Sequence, residues 1–159
     1  MNKVNGAITS FAPIREEGSR ITICYGLKEL TEQLYEWYEV YLPKKQLSQL
    51  TIQTVKDAVI GDINARVKEQ IISGFVYDGS PVWLSEENQM NFTQAIVPVT
   101  LKIGEQKDGT PVYRAFENKT SLKSFCEACI QWKQQCLADG WREKDSIDWQ
   151  QYELMGGKE

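Results

Sequence analysis

The chain has 159 residues, 42% hydrophobic and 25% charged, with a formal net charge of −4. That length suggests one domain with a sizeable core, and the composition is that of an ordinary globular protein. The acidic balance argues against nucleic acid as a partner, because the only adjacent lysines, Lys44-Lys45, extend into no basic stripe.

Residues 1–19 are small and polar, with Asn2, Asn5, Gly6, Ser10 and Gly18 among them, and are expected to form a flexible N-terminal arm. They lack the basic start and apolar run of a secretion signal, and no apolar stretch in the chain reaches the ~18 residues of a membrane span. The expectation is a soluble protein, cytoplasmic at synthesis, with no membrane partner. Residues 20–152 are expected to form a single α+β domain, and 153–159 a frayed tail.

Arg20 to Tyr25 alternates and is β-prone, and Gly26 is expected to end that strand. From Leu27 to Leu42 two periods compete. Leu27, Leu30, Leu34, Trp37 and Tyr41 fit a helical stripe, whereas the aromatic and β-branched residues from Tyr35 to Tyr41 favour a strand. The reading adopted is a helical turn over 28–33 and a strand from 35 to 42, closed by Pro43.

A long central helix is expected over about 48–73. Ile52, Val55, Val59, Ile63, Val67 and Ile71 recur every three or four residues, which makes one apolar stripe. Gly74 suits a left-handed C-terminal cap. The period then changes. Phe75-Val76-Tyr77 and Val82-Trp83-Leu84 flank Asp78-Gly79-Ser80-Pro81, a hairpin with a four-residue connection. Pro81 implies that the second strand begins no earlier than Val82 or lies at an edge. Ser85 reads as the N-cap of a helix from Glu86 to about Ala95. Phe75, Trp83, Met90 and Phe92 are expected to pack near the long helix's stripe.

A second hairpin follows, with strands at Val97–Ile103 and Pro111–Phe116 around a Lys107-Asp108-Gly109 turn. Thr120 can cap the last long helix, whose apolar side carries Leu122, Phe125, Cys129, Trp132, Cys136 and Leu137, and which Gly140 is expected to end. Trp141, Ile147, Trp149 and Tyr152 should bring the remainder back onto the body. Antiparallel β-hairpins alternating with helices define an α+β fold.

The chemistry available is limited. There is no histidine, so no Ser-His or Cys-His pair and no His-ligated metal site exists within the chain. Cys126 and Cys129 lie one helical turn apart, but Cys136 is ten residues beyond Cys126, about 15 Å along the axis and too far for a shared metal. Buried free thiols in a reducing compartment account for all of them. The acidic groups at Glu16-Glu17, Glu86-Glu87 and Glu143 to Asp148 match no EF-hand spacing and read as helix-start and surface charge. No Gly-rich phosphate loop or nucleophile elbow is present. No enzymatic activity, catalytic residue, metal or cofactor is expected. Core packing is the favoured account of Tyr35, Trp37 and Tyr41; the functional alternative is an exposed aromatic strand face suited to stacking a sugar or binding a protein.

Three segments resemble known sequences: Tyr35 to Val40, Ile71-Ile72-Ser73-Gly74-Phe75-Val76-Tyr77 through Trp83 to Phe92, and Trp141 to Trp149. Together they resemble a group of proteins from gut Bacteroides and related bacteria. The middle segment is similar to a domain of unknown function in phage and prophage tail-associated proteins, where a helix leads into an I-x-x-G-F-x-Y/W-x-G hairpin and then S-x-x-x-Q-x-N. The resemblance implies no catalytic residues. It implies a structural or assembly component of a phage-like particle, in contact with other phage or host proteins or with further copies of itself in a symmetric homo-oligomer. Contact through the aromatic strands or the hairpin makes Tyr35, Trp37, Tyr41, Tyr77 and Trp83 the binding candidates. A glycan- or peptide-binding module using the aromatic strand face is the alternative.

Overall fold

In the computed structural model, which describes residues 2–44 and 50–153, the N-terminal stretch enters the fold as strands. The edge strands β1 (Asn2–Gly6) and β2 (Ile14–Glu17) flank a central hairpin of β3 (Arg20–Thr31) and β4 (Leu34–Pro43). The sheet is antiparallel in the order β1-β4-β3-β2. The segment expected as a flexible arm therefore completes the sheet. The physical reason is pairing: both outer edges of the hairpin present backbone donors and acceptors, and β1 and β2 supply their partners. Gly6 reflects close packing, since a Cβ there would lie 2.9 Å from Cη2 of Trp37.

The hairpin also replaces the helical turn expected at 28–33. Register shifts between Tyr25 and Lys28 and between Glu29 and Thr31 interrupt the two-residue period of β3, and Gly26 sits at a φ of 67° within the first. Such bulges place extra residues on one strand. Leu27 and Leu30 lie on β3 and Leu34 across the turn on β4, so their helical spacing reflects no helix, and β3 continues past Gly26.

The chain forms two compact units. One comprises the residues up to Ala65 with those from Trp141 onward, and the other Arg66–Gly140. The first division falls inside the long helix α1 (Ile52–Ser73). Thr51 starts α1 by accepting from the backbone N–H of Thr54, and residues 48 and 49 of the expected span lie outside the described residues.

In the first unit, Ile21, Ile23 and Tyr25 share a sheet face with Leu42, Val40 and Tyr38, their partners across the pair. The Tyr25 hydroxyl donates to the Asp62 carboxylate, which sets α1 against this face, and Val55, Val59 and Ile63 of its stripe are fully buried. The short C-terminal helix α4 (Gln150–Glu153) joins them: the buried Tyr152 donates to the carbonyl of Cys24. Residues 154–159, most of the expected frayed tail, lie outside the described residues.

The second unit starts with the last turns of α1. Gly74 ends that helix without a left-handed φ; instead a Cβ there would stand 2.6 Å from the Gln70 carbonyl. Then β5 (Phe75–Tyr77) pairs with β6 (Ser80–Val82). The connection is a two-residue turn, Asp78-Gly79, with φ of 47° and 76°, and not the expected four. Positive φ at both positions twists the turn with the strands, so Ser80 and Pro81 belong to β6. Pro81 faces Val76 across the pair. Ser85 caps α2 (Glu86–Gln94) through the N–H of Asn88, as its sequence implies.

The strands β7 (Val99–Glu105) and β8 (Pro111–Phe116) form the second hairpin. The final long helix, α3 (Lys119–Asp145), is capped by Asn118, whose side chain accepts from the N–H of Ser121. Thr120, the expected cap, lies inside it. Gly140 does not end α3, because a Cβ there would meet Val67 Cγ2 at 2.6 Å; its bareness lets α3 approach α1. The unit's core centres on Phe125, with the rings of Tyr77, Phe92 and Phe116 each 5.1 Å away. Trp83 and Met90, expected in this core, are 36% and 59% exposed. Where the chain continues extended past β6, Val82 and Leu84 turn inward and Trp83 outward.

The two hairpins of this unit meet at Gly104. The Trp83 N–H donates to the Ile103 carbonyl at 2.8 Å, and a Cβ on Gly104 would stand 2.4 Å from the Pro81 carbonyl oxygen. Backbone cannot yield there as a flexible side chain would. Gly104→Ala is expected to destabilise the protein by about 1–3 kcal/mol, measured as a lowered midpoint in urea; an unchanged midpoint would show that β6 and β7 separate without cost.

Candidate functional site

The aromatic face proposed from β4 is an interior surface. Opposite partners place Tyr35, Trp37, Glu39 and Tyr41 on one face with Cys24 and Thr22 of β3. Trp37 is 1% exposed and Glu39 5% exposed, whereas Tyr35 and Tyr41 are half-buried. The chain between β1 and β2 packs against this face, with Phe11 edge-on to Trp37 at 5.8 Å. Arg15, on β2, reaches Glu39 at 2.6 Å.

Glu39 organises the polar groups. Its carboxylate accepts from Trp37 Nε1 at 3.0 Å and from the Tyr41 hydroxyl at 3.0 Å, besides the Arg15 guanidinium. Burial alone would raise its pKa, but these three donors outweigh it and hold the carboxyl below the usual range. Arg20 lies over the ring of Tyr41, 3.9 Å from its centroid. Trp37 and Tyr41 thus commit their polar atoms to the protein's own carboxylate. A ligand stacking on Trp37 would have to displace the chain that covers it.

The other two candidates lie in the second unit. Tyr77 is half-buried against Phe125, with the Arg114 guanidinium 4.7 Å from its ring centroid and bonded in turn to Asp78 at 2.6 Å. Trp83 is exposed, although its backbone is fixed on both sides by Ile103 and by Asn88, whose amide donates to the Trp83 carbonyl. Of the five candidates, Trp83 alone presents an exposed ring.

Two surfaces escaped the sequence reading. The first is the far end of the β3–β4 hairpin. Pairing with β2 stops at Ile23, so β3 from Gly26 to Glu29 is an outer edge beside β4, and only the turn end, where Thr31 faces Leu34, extends past β1 as well; every residue of this 26–34 ribbon is exposed. It carries Leu27, Leu30 and Leu34 at 40%, 41% and 39% exposure. The second is a groove between α2 and α3, of about 450 Å³ in its larger part, floored by Phe92, Val97, Leu122 and Cys126. The reading of 28–33 as helical hid the first, and the second needs two helices side by side.

The cysteines are free, and Cys24, Cys129 and Cys136 are buried. Burial pushes the thiols of Cys24 and Cys129 up to about 11 and about 12. Among the described residues no group of His, Cys, Asp and Glu is arranged to hold a metal, and no helix is long and apolar enough to cross a membrane.

Two expectations follow from these groups. Glu39 is charged in the fold at a pH where it would protonate in the unfolded chain. Its contribution to stability is therefore complete above the unfolded carboxyl pKa of about 4.3 and is lost as pH falls through the lower folded value. Glu39→Gln should cost about 1–3 kcal/mol at neutral pH and flatten the acid limb of a denaturation series; an acid limb identical to that of the parent would remove Glu39 from the account. In the native protein a thiol reagent should modify Cys126 alone, and the other three only after unfolding; rapid labelling of all four would contradict the packing. No protein-family model, curated protein or solved structure matches the chain.

Proposed function

We propose that this chain is a non-enzymatic structural or assembly component of a phage or prophage particle, tail-associated, and that it acts by protein–protein contact through the β3–β4 ribbon. The observation that carries the contact is the ribbon itself: nine consecutive exposed positions, 26–34, with Leu27, Leu30 and Leu34 left partly in water. Leucines exposed at the end of this hairpin lose free energy to solvent that a partner would recover, at about 25 cal/mol per Å² of apolar area covered. Lys28, 3.9 Å from Glu36, leaves charge at the ribbon's side, a means of limiting indiscriminate strand pairing. The likeness of the Ile71–Phe92 segment to tail-associated domains supports placing the partner in a phage particle. The aromatic-face alternative, a glycan- or peptide-binding module, has less in its favour, because Trp37 is buried and bonded to Glu39.

The test is mass spectrometry of particles and assembly intermediates purified after prophage induction in the source strain. The chain should be present in one or the other at stoichiometric levels; absence from both would reject the proposal. Leu27→Ser, Leu30→Ser and Leu34→Ser combined should leave the melting temperature within about 3 °C of the parent, since surface changes cost little, while the chain no longer co-purifies with particles or intermediates. Undiminished co-purification would move the contact elsewhere on the molecule.

A further inference from the structure

The groove between α2 and α3 has a composition that the ribbon lacks. Phe92 and Leu122 form its apolar floor, and Cys126 lines both its larger part and a smaller extension of about 70 Å³ toward Ile130. Its ends expose apolar side chains, Ile96 at 85% and Ile130 at 49%. Every charged residue lining it is a lysine: Lys119, Lys123 and Lys133. Among the described residues no carboxylate lines it, although the chain as a whole is acidic.

We propose that this groove binds an amphipathic helix of acidic character, supplied by a partner protein. The lysines lie along one helix, and from Lys119 to Lys133 they span about 21 Å at 1.5 Å per residue. That spread suits carboxylates distributed over about four turns of a partner helix, whereas a single anionic headgroup would call for cations gathered at one point. An apolar stripe on the partner would lie on Leu122 and Cys126, as in helix-in-groove recognition. Present partners of the lysines are exchangeable: Lys133 donates to the neutral Gln89 amide oxygen at 3.0 Å, and Lys123 stands 3.8 Å from Glu127. The inference is independent of the ribbon and of the particle.

The test uses the full chain and a fluorescein-labelled peptide of about 16 residues, with leucines at helical spacing flanked by glutamates. A peptide with lysines in place of the glutamates and free dodecanoate serve as comparisons. The acidic peptide is expected to bind saturably in the micromolar range by anisotropy, and to slow the labelling of Cys126. The exposed pair Lys119→Glu and Lys123→Glu should raise its Kd about tenfold or more, with the circular dichroism spectrum unchanged. No saturable binding, equal affinity for the basic peptide, or a Kd indifferent to the charge reversal would overturn the proposal. Binding of dodecanoate without binding of the peptide would also overturn it, in favour of an anionic lipid.

Discussion

From Ile21 to Tyr25 every residue of β3 is buried, so both faces of that strand are out of water. A strand buried on both sides needs a layer on each. Helix α1 supplies one through Val55, Val59 and Ile63, and the segment joining β1 to β2 supplies the other through Phe11, beside Arg15 of β2. The first unit depends on this double covering. It explains why a polar, glycine-containing N-terminal stretch is ordered, and why Glu39 can sit 5% exposed without an orphaned charge. Arg15, Trp37 and Tyr41 converge on it together with the Cys24 thiol, and this buried carboxylate ties β2 to β4.

In the second unit the corresponding constraint is close backbone approach. Gly104 admits the Pro81 carbonyl and Gly140 admits Val67, so short hairpins and two long helices enclose the cluster around Phe125. Neither glycine uses a left-handed conformation. The same packing leaves the outer faces of α2 and α3 to form the lysine-bordered groove. The two exposed surfaces differ in character: the ribbon is apolar at three leucines, and the groove couples an apolar floor to positive charge.

The elements with one clear period were legible. The Ile52-to-Ile71 stripe, the Ser85 cap with Glu86 and Glu87 behind it, and the presence of two later hairpins are as their residues imply, giving the α+β fold, although β6 takes in Ser80 and Pro81 and β7 runs from Val99 to Glu105. The 28–33 stretch was not, because two bulges break the strand period of β3 and a turn separates Leu30 from Leu34, so the helical spacing of the leucines was a coincidence. Nor was the ordering of residues 2–17, because edge strands owe their order to the backbone groups of their neighbours more than to their own side chains. The aromatic candidates were chosen by residue type, and type does not say which face of a strand is covered.

By itself the sequence determined the fold class, the free cysteines and the exclusion of histidine chemistry, since these rest on composition and on periods read within one element. Only the tertiary structure decided that Trp37 is interior and bonded to Glu39, that Leu27, Leu30 and Leu34 are exposed at one end of a hairpin, and that three lysines border one groove. Each of these depends on which segments distant in the chain are brought into contact, and local periodicity carries no information about that.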